Sequence, residues 1–150
     1  MVPRSNNRGT SRFGLTPASA ETRARMKLVR QSSTRPELVV RALVRGLGCS
    51  YRICSPRLPG RPDLSNSKRH WVLFVNGCFW HHHTACKLAT IPKSNRRFWM
   101  DKLKRNRRRD AAKIRGLRSL GFRTIVIWQC ECRDKALLTT RLKRFFEASQ

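Results

Sequence analysis

Residues 71–86 read WVLFVNGCFWHHHTAC: five apolar residues run without a break into a cluster of metal-type ligands. The run Trp71–Val75 shows no alternation of apolar and polar positions, as expected of a short central strand buried on both faces. Asn76 and Gly77 then break the strand. The residues that follow hold three of the four histidines of the chain (His81, His82, His83) and two of its six cysteines (Cys78, Cys86). A strand covered on both faces implies helices on either side of a sheet, and the ligand cluster lies directly beyond one end of that strand.

Working upstream, LPGRPD at residues 58–63 combines two prolines and a glycine into an irregular turn that delivers Asp63 to the start of an extended segment. Ser65, Asn66 and Ser67 read as the turn of a hairpin whose second strand is Trp71–Val75, and residues 50–53 as a further short strand. Residues 33–47 predict a helix. Thr34 and Glu37 form a capping box, Pro36 suits the first turn, Leu38, Val39, Ala42, Leu43 and Leu47 make one apolar face, and Gly46 and Gly48 end it. Residues 19–30 predict a short basic helix capped by Ser19, with no core role. Residues 1–18 have no periodic apolar pattern and read as a disordered basic tail, either solvated or reaching to DNA.

Downstream, residues 95–119 predict a long helix on which Trp99, Leu103, Asn106, Asp110, Ile114 and Leu117 share one stripe. Residues 124–128 (TIVIW) form another apolar strand, and residues 135–147 an amphipathic helix with Leu138, Leu142, Phe145 and Phe146 inward. The expected fold class is α/β: a small mixed sheet flanked by helices over residues 19–150, without repeats or a second domain.

The chain carries 34 Lys+Arg against 8 Asp+Glu, a net charge of +26, and so calls for a polyanionic partner. Nucleic acid is the first candidate and an anionic membrane the second. No apolar run has the length of a membrane span, and residues 1–16 lack the apolar core of a signal peptide. The expected compartment is therefore the cytoplasm, where cysteines are thiols or metal ligands rather than disulfides. Cys49 and Cys54 read as reduced, buried thiols.

Zinc prefers thiolate and imidazole, and Cys78, His83 and Cys86 offer three such ligands in one loop. A fourth comes from Cys130, or from Cys132 two residues on; a closed Cys3His site of this kind is structural. Asp63 is a candidate Mg²⁺ ligand or a salt-bridged surface acid. Glu37 either caps its own helix or serves an active site. Asp110 lies on an apolar stripe and needs a partner, an arginine or a histidine. With His83 on zinc, His81 and His82 remain, and an imidazole beside an Asp-bound Mg²⁺ is a candidate general base for phosphodiester hydrolysis. Phe79, Trp80 and Trp99 are suited to stacking on bases or wedging between base steps, or else to packing around the zinc.

The motifs STRPELVVRAL, LPGRPDL, FVNGCFWHHHTAC, IPKSNRRFWMDKLKRNRRRD and IVIWQC, in that order and spacing, are similar to those of the very short patch repair (Vsr) DNA mismatch endonucleases. The resemblance runs from about Thr22 to Phe146. It implies a restriction-endonuclease-like fold with structural Zn²⁺, acting as a monomer. It also implies Mg²⁺-dependent nicking of one DNA strand 5′ of a T mispaired with G. Such mispairs arise when 5-methylcytosine deaminates in the site of a cytosine-5 DNA methyltransferase, which links the chain to such an enzyme.

By this resemblance Asp63 and the backbone carbonyl of Val75 hold Mg²⁺, His81 is the general base, Asp110 supports it, and Glu37 is the remaining active-site carboxylate. Cys78, His83, Cys86 and Cys130 hold Zn²⁺, and Phe79, Trp80 and Trp99 engage the mispair. Three positions depart from the family pattern: Asn76 replaces a histidine, Gln129 replaces an acid, and residues 65–68 are polar where an apolar strand is usual. They leave open a zinc-stabilised DNA-binding protein with weak or lost nuclease activity.

Overall fold

A computed structural model describes residues 19–28 and 32–148; the basic tail at residues 1–18 lies outside the described residues. The elements run α1 (Ala20–Lys27), α2 (Arg35–Gly46), β1 (Arg52–Ile53), β2 (Leu64–Asn66), β3 (Trp71–Asn76), α3 (Arg96–Ser119) and β4 (Arg123–Trp128). A short 3-10 helix, Gln129–Arg133, then leads into α4 (Lys135–Glu147). The sheet order is β1-β2-β3-β4, with β1, β2 and β3 antiparallel in turn and β3 parallel to β4. Among the described residues no helix is long and apolar enough to cross a membrane.

Successive side chains of a strand point to opposite faces, and β3 uses both. Trp71 and Leu73 join Val40, Val44, Leu64, Ile125, Ile127, Leu138 and Leu142 in a core between the sheet and α2 and α4. Val72 and Phe74 face the other way and pack with Leu117 of α3. Because β3 and β4 are parallel and end on the same rung, Asn76 opposite Trp128, the segments that leave them emerge at one end of the sheet. That end carries the ligand loop of residues 78–86 and Cys130 together.

Three expectations are corrected. Ser65 and Asn66 are not turn residues: they pair with Val72 and Trp71 in β2, Ser65 is buried, and the turn falls at residues 67–70. Their polarity is satisfied inside the sheet. Ser65 Oγ meets Ser55 Oγ at 2.5 Å, and the Asn66 amide donates to Ser50 O at 2.9 Å and accepts from Arg69 N–H at 3.0 Å. Leu43 and Leu47 of α2 pack against the core as expected, but its fully buried residues are Glu37, Val40 and Val44, while Leu38 and Ala42 are exposed. The helix thus turns Glu37 inward. Cys49 is only half-buried and Cys54 is exposed, in a left-handed backbone conformation just after β1.

Helix α1 is shorter than expected, its described side chains are exposed, and Ser19 Oγ caps it by accepting from Thr22 N–H at 3.1 Å.

Candidate active site and metal centre

Residues 77–83 wind into tight turns, with His81 N–H donating to Gly77 O at 3.1 Å and His83 N–H to Cys78 O at 3.0 Å. An extended loop would have sent His81 and His83 the same way. The turns send them apart, and the two imidazoles serve different centres.

His83 joins Cys78, Cys86 and Cys130 in a group whose ligand atoms all lie within 4.8 Å of one another. His83 Nδ1 is 3.7 Å from Cys78 Sγ and 3.4 Å from Cys130 Sγ, while its ring stacks on Trp128 at 4.2 Å and 6°. Metal–sulfur and metal–nitrogen bonds of about 2.3 and 2.0 Å in a tetrahedron require such separations, so the donor set fits a zinc-type cation. Burial pushes the Cys78 thiol up to about 12, whereas the backbone N–H of Leu88 holds Cys86 low. Burial raises the Cys130 thiol as well, so a bound cation would have to draw the protons from Cys78 and Cys130. Cys132 is not part of the group; its sulfur contacts Pro36 O and Trp128 O at 3.9 and 3.8 Å, on the α2 side.

His81 points instead to α3. Its Nδ1 lies 2.5 Å from Asp110 Oδ2, and Lys113 Nζ lies 3.2 Å from Asp110 Oδ1. With Asp110 ionised, the hydrogen bond places the proton on His81 Nδ1 and leaves Nε2 as the acceptor. Asn106, one turn earlier, donates to Trp80 O at 3.0 Å and ties the loop to the same helix face. The partner of Asp110 is therefore a histidine rather than an arginine.

His81 and Asp110 share a pocket with Asp63, Glu37, Val75, Asn76, Arg61 and Lys113. Asp63 Oδ2 accepts from Val75 N–H at 2.7 Å, which leaves Oδ1 to take a cation. The reason lies in Pro62. Extending the β2–β3 register, in which Leu64 faces Leu73, sets Pro62 opposite Val75. A residue's N–H and C=O point to the same side of a strand, and those of Val75 point toward β2. Pro62 has no N–H to give, so no ladder bond from it reaches the Val75 carbonyl. Asp63 and Val75 both line the pocket, where a carboxylate and a backbone carbonyl could together hold a hard divalent cation. Burial raises the Asp63 carboxyl above its ordinary value, the Val75 N–H opposes this, and Glu37 adds to it.

Glu37 has both expected roles in part. Its carboxylate accepts from Ser33 N–H, Thr34 N–H, Thr34 Oγ1 and Arg41 Nη2 at 2.8–3.3 Å, closing the helix end, and it still lines the pocket. Both oxygens are thus engaged. Arg41 was not singled out from sequence, and neither was Lys113; the signal for each was a cation one helical turn from an acid.

Asp110 gives the first testable consequence. Burial would raise its carboxyl, but the hydrogen bonds and charges of His81 and Lys113 outweigh burial and hold it below its ordinary value. A depressed folded value means that the stabilisation is present above the unfolded value, near 3.9, and is lost as pH falls through the folded one. Asp110→Asn is therefore expected to be less stable than wild type to urea at pH 6, with the gap closing below about pH 4. Comparing the two proteins at each pH cancels metal release, which both share. A gap that widens in acid contradicts the pairing.

Phe79, Trp80 and Trp99 meet one another in a cluster. Phe79 packs edge-on to Trp80 at 5.0 Å and to Trp99 at 5.5 Å, and Lys102 Nζ sits 4.9 Å from the Trp99 ring centre. All three are partly exposed beside the pocket loop.

The family model described as DNA mismatch endonuclease Vsr matches residues 16–87. The type II nicking enzyme V.XorIIP of Xanthomonas oryzae is 42% identical over 124 residues, 83% of this chain and 90% of that protein. The type II nicking enzyme V.NmeAIP of Neisseria meningitidis is 40% identical over 119 residues, 79% and 84% of the two chains. The DNA mismatch endonuclease Vsr of Escherichia coli is 36% identical over 114 residues, 76% and 72% of the two chains. The chain belongs to the Vsr family of DNA mismatch endonucleases and is an endodeoxyribonuclease.

Proposed function

We propose that this enzyme nicks one strand of duplex DNA on the 5′ side of the T in a T·G mispair, on a restriction-endonuclease-like fold. The substrate would arise by deamination of 5-methylcytosine within the site of a companion cytosine-5 DNA methyltransferase, and the enzyme would act as a monomer. The observation that carries the proposal is the meeting, in one pocket, of Asp63 from the LPGRPD turn with His81 held by Asp110 of α3.

Each residue has a chemical task. Asp63 and the Val75 carbonyl would hold Mg²⁺. When bound, that ion neutralises charge on the scissile phosphate. His81 Nε2 takes the proton of the attacking water, and Asp110 fixes the tautomer and stabilises the imidazolium that forms. Cys78, His83, Cys86 and Cys130 would hold Zn²⁺ and so fix the loop that carries His81. Phe79, Trp80 and Trp99 would insert at or stack on the mispair. Nucleic-acid affinity follows from the +26 charge.

A second reading has one observation in its favour. Asn76, which lines the pocket in place of a histidine, cannot move a proton, as in a DNA-binding protein with lost activity. A zinc-loaded sample incubated with Mg²⁺ and a T·G heteroduplex, beside a T·A duplex of the same sequence, separates the two. The expected result is a single nick 5′ of the T in the heteroduplex alone. Salt-steep binding without cleavage overturns the proposal.

A further inference from the structure

We infer that Lys113 is a further catalytic residue, whose ammonium group binds a non-bridging oxygen of the scissile phosphate; this rests on the nicking reaction proposed above. Lys113 lies one turn along α3 from Asp110 and lines the pocket that holds Asp63 and His81. Two features hold it there. Its Nζ is 3.2 Å from Asp110 Oδ1. Its stem lies against Gly60 of the LPGRPD turn, where a Cβ would come within 2.6 Å of Lys113 Cγ and Cδ and 2.9 Å of its Cβ. Gly60 also has φ +74, in the left-handed region that favours glycine. The turn that delivers Asp63 is therefore shaped to admit this side chain.

The bland alternative is that Lys113 only neutralises Asp110. Asp110 already has His81 on its other oxygen, and an acid that is partly exposed needs no second cation. The charge balance of the pocket points further. Arg41 is committed to Glu37, Arg61 is exposed on its loop, and Asn76 is neutral. A phosphodiester adds one negative charge beside Asp63 and Asp110, and more charge gathers on its non-bridging oxygens as water adds. In the step, the bond from water oxygen to phosphorus forms and the bond from phosphorus to the departing sugar oxygen breaks. The water proton passes to His81, the departing oxygen is protonated from solvent, and Lys113 keeps its proton throughout. Its contribution is electrostatic and grows toward the transition state.

The test is single-turnover nicking of a T·G heteroduplex by zinc-loaded wild type, Lys113→Met, Lys113→Arg and, as a control for net charge, Arg115→Met on the exposed face of α3. Lys113→Met keeps the stem on Gly60 and is expected to lower the rate by about a hundredfold. Duplex affinity should fall by no more than about threefold, as for one phosphate contact among many. Lys113→Arg restores most of the rate, Arg115→Met matches wild type, and the Lys113→Met defect persists on the alkaline plateau of the pH–rate profile, whatever shift the loss of a charge beside Asp110 gives that profile. A Lys113→Met rate equal to that of Arg115→Met overturns the inference alone. So does a Lys113→Met rate that recovers to that of wild type on the alkaline plateau, which would mean that Lys113 acts only through Asp110. A wild type that does not nick overturns the proposed function and this inference with it.

Discussion

Asp63→Ala is expected to lower the rate of nicking by at least about a thousandfold, some 4 kcal/mol of barrier, while duplex binding stays close to wild type. The size of the effect follows from the lack of a substitute. Glu37 has both oxygens engaged by its own helix end and by Arg41, and Asp110 is held between His81 and Lys113. Neither can turn an oxygen to the place Asp63 leaves. Asp63→Asn sharpens the test, because an amide oxygen can still accept from Val75 N–H and so keeps the local structure. It should be as inactive as the alanine variant and melt no lower than wild type. Single-turnover kinetics with matched binding titrations decide the matter. An Asp63→Ala protein that nicks at even about a tenth of the wild-type rate would remove Asp63 from the reaction.

The second large effect is on the whole fold. On the proposed zinc site, removing metal from Cys78, His83, Cys86 and Cys130 is expected to unfold the pocket end of the sheet, not merely to slow the enzyme. Structural zinc in small domains is worth about 10 kcal/mol or more at neutral pH, comparable to the total stability of a domain. Here the ligands join the end of β3 to the end of β4 and hold a loop whose regularity is a few turns. Cys78→Ser should lose the metal and melt far below wild type, since it replaces a fully buried ligand. Cys132→Ser should keep full metal content, because that sulfur faces Pro36 and Trp128. Metal analysis and thermal melts with and without a chelator give the answer. A metal-free protein with an unchanged melt contradicts the structural role.

The buried strand, the long helix and three of the four metal-type ligands were legible because each rests on local chemistry: an unbroken apolar run, a helical stripe, two thiols and an imidazole at close spacing. The fourth, Cys130, lies 47 residues from His83, and only the family resemblance singles it out from Cys132. From the residues alone the pairing of Asp110 with His81 was legible only as a need for a partner, because 29 residues separate the two; the family resemblance supplied the choice of histidine. Ser65 and Asn66 misled because composition marks turns, whereas burial of polar side chains depends on partners such as Ser55 and Ser50 that only the folded sheet supplies. The buried face of α2 was misplaced in part: Leu43 and Leu47 pack on the core as expected, but Leu38 and Val40 are equally apolar in sequence and only Val40 is buried. Lys113 was hidden among the many cations of α3. What sets it apart is the absence of a side chain at Gly60, which is far away in sequence.

The divergence of His81 and His83 has a consequence for anyone who would retarget this enzyme. With only His82 between them, the two imidazoles are set by a single helical turn, and one inserted or deleted residue would swing both to the wrong sides at once. The segment from Cys78 to Cys86 is therefore fixed in length as well as in composition.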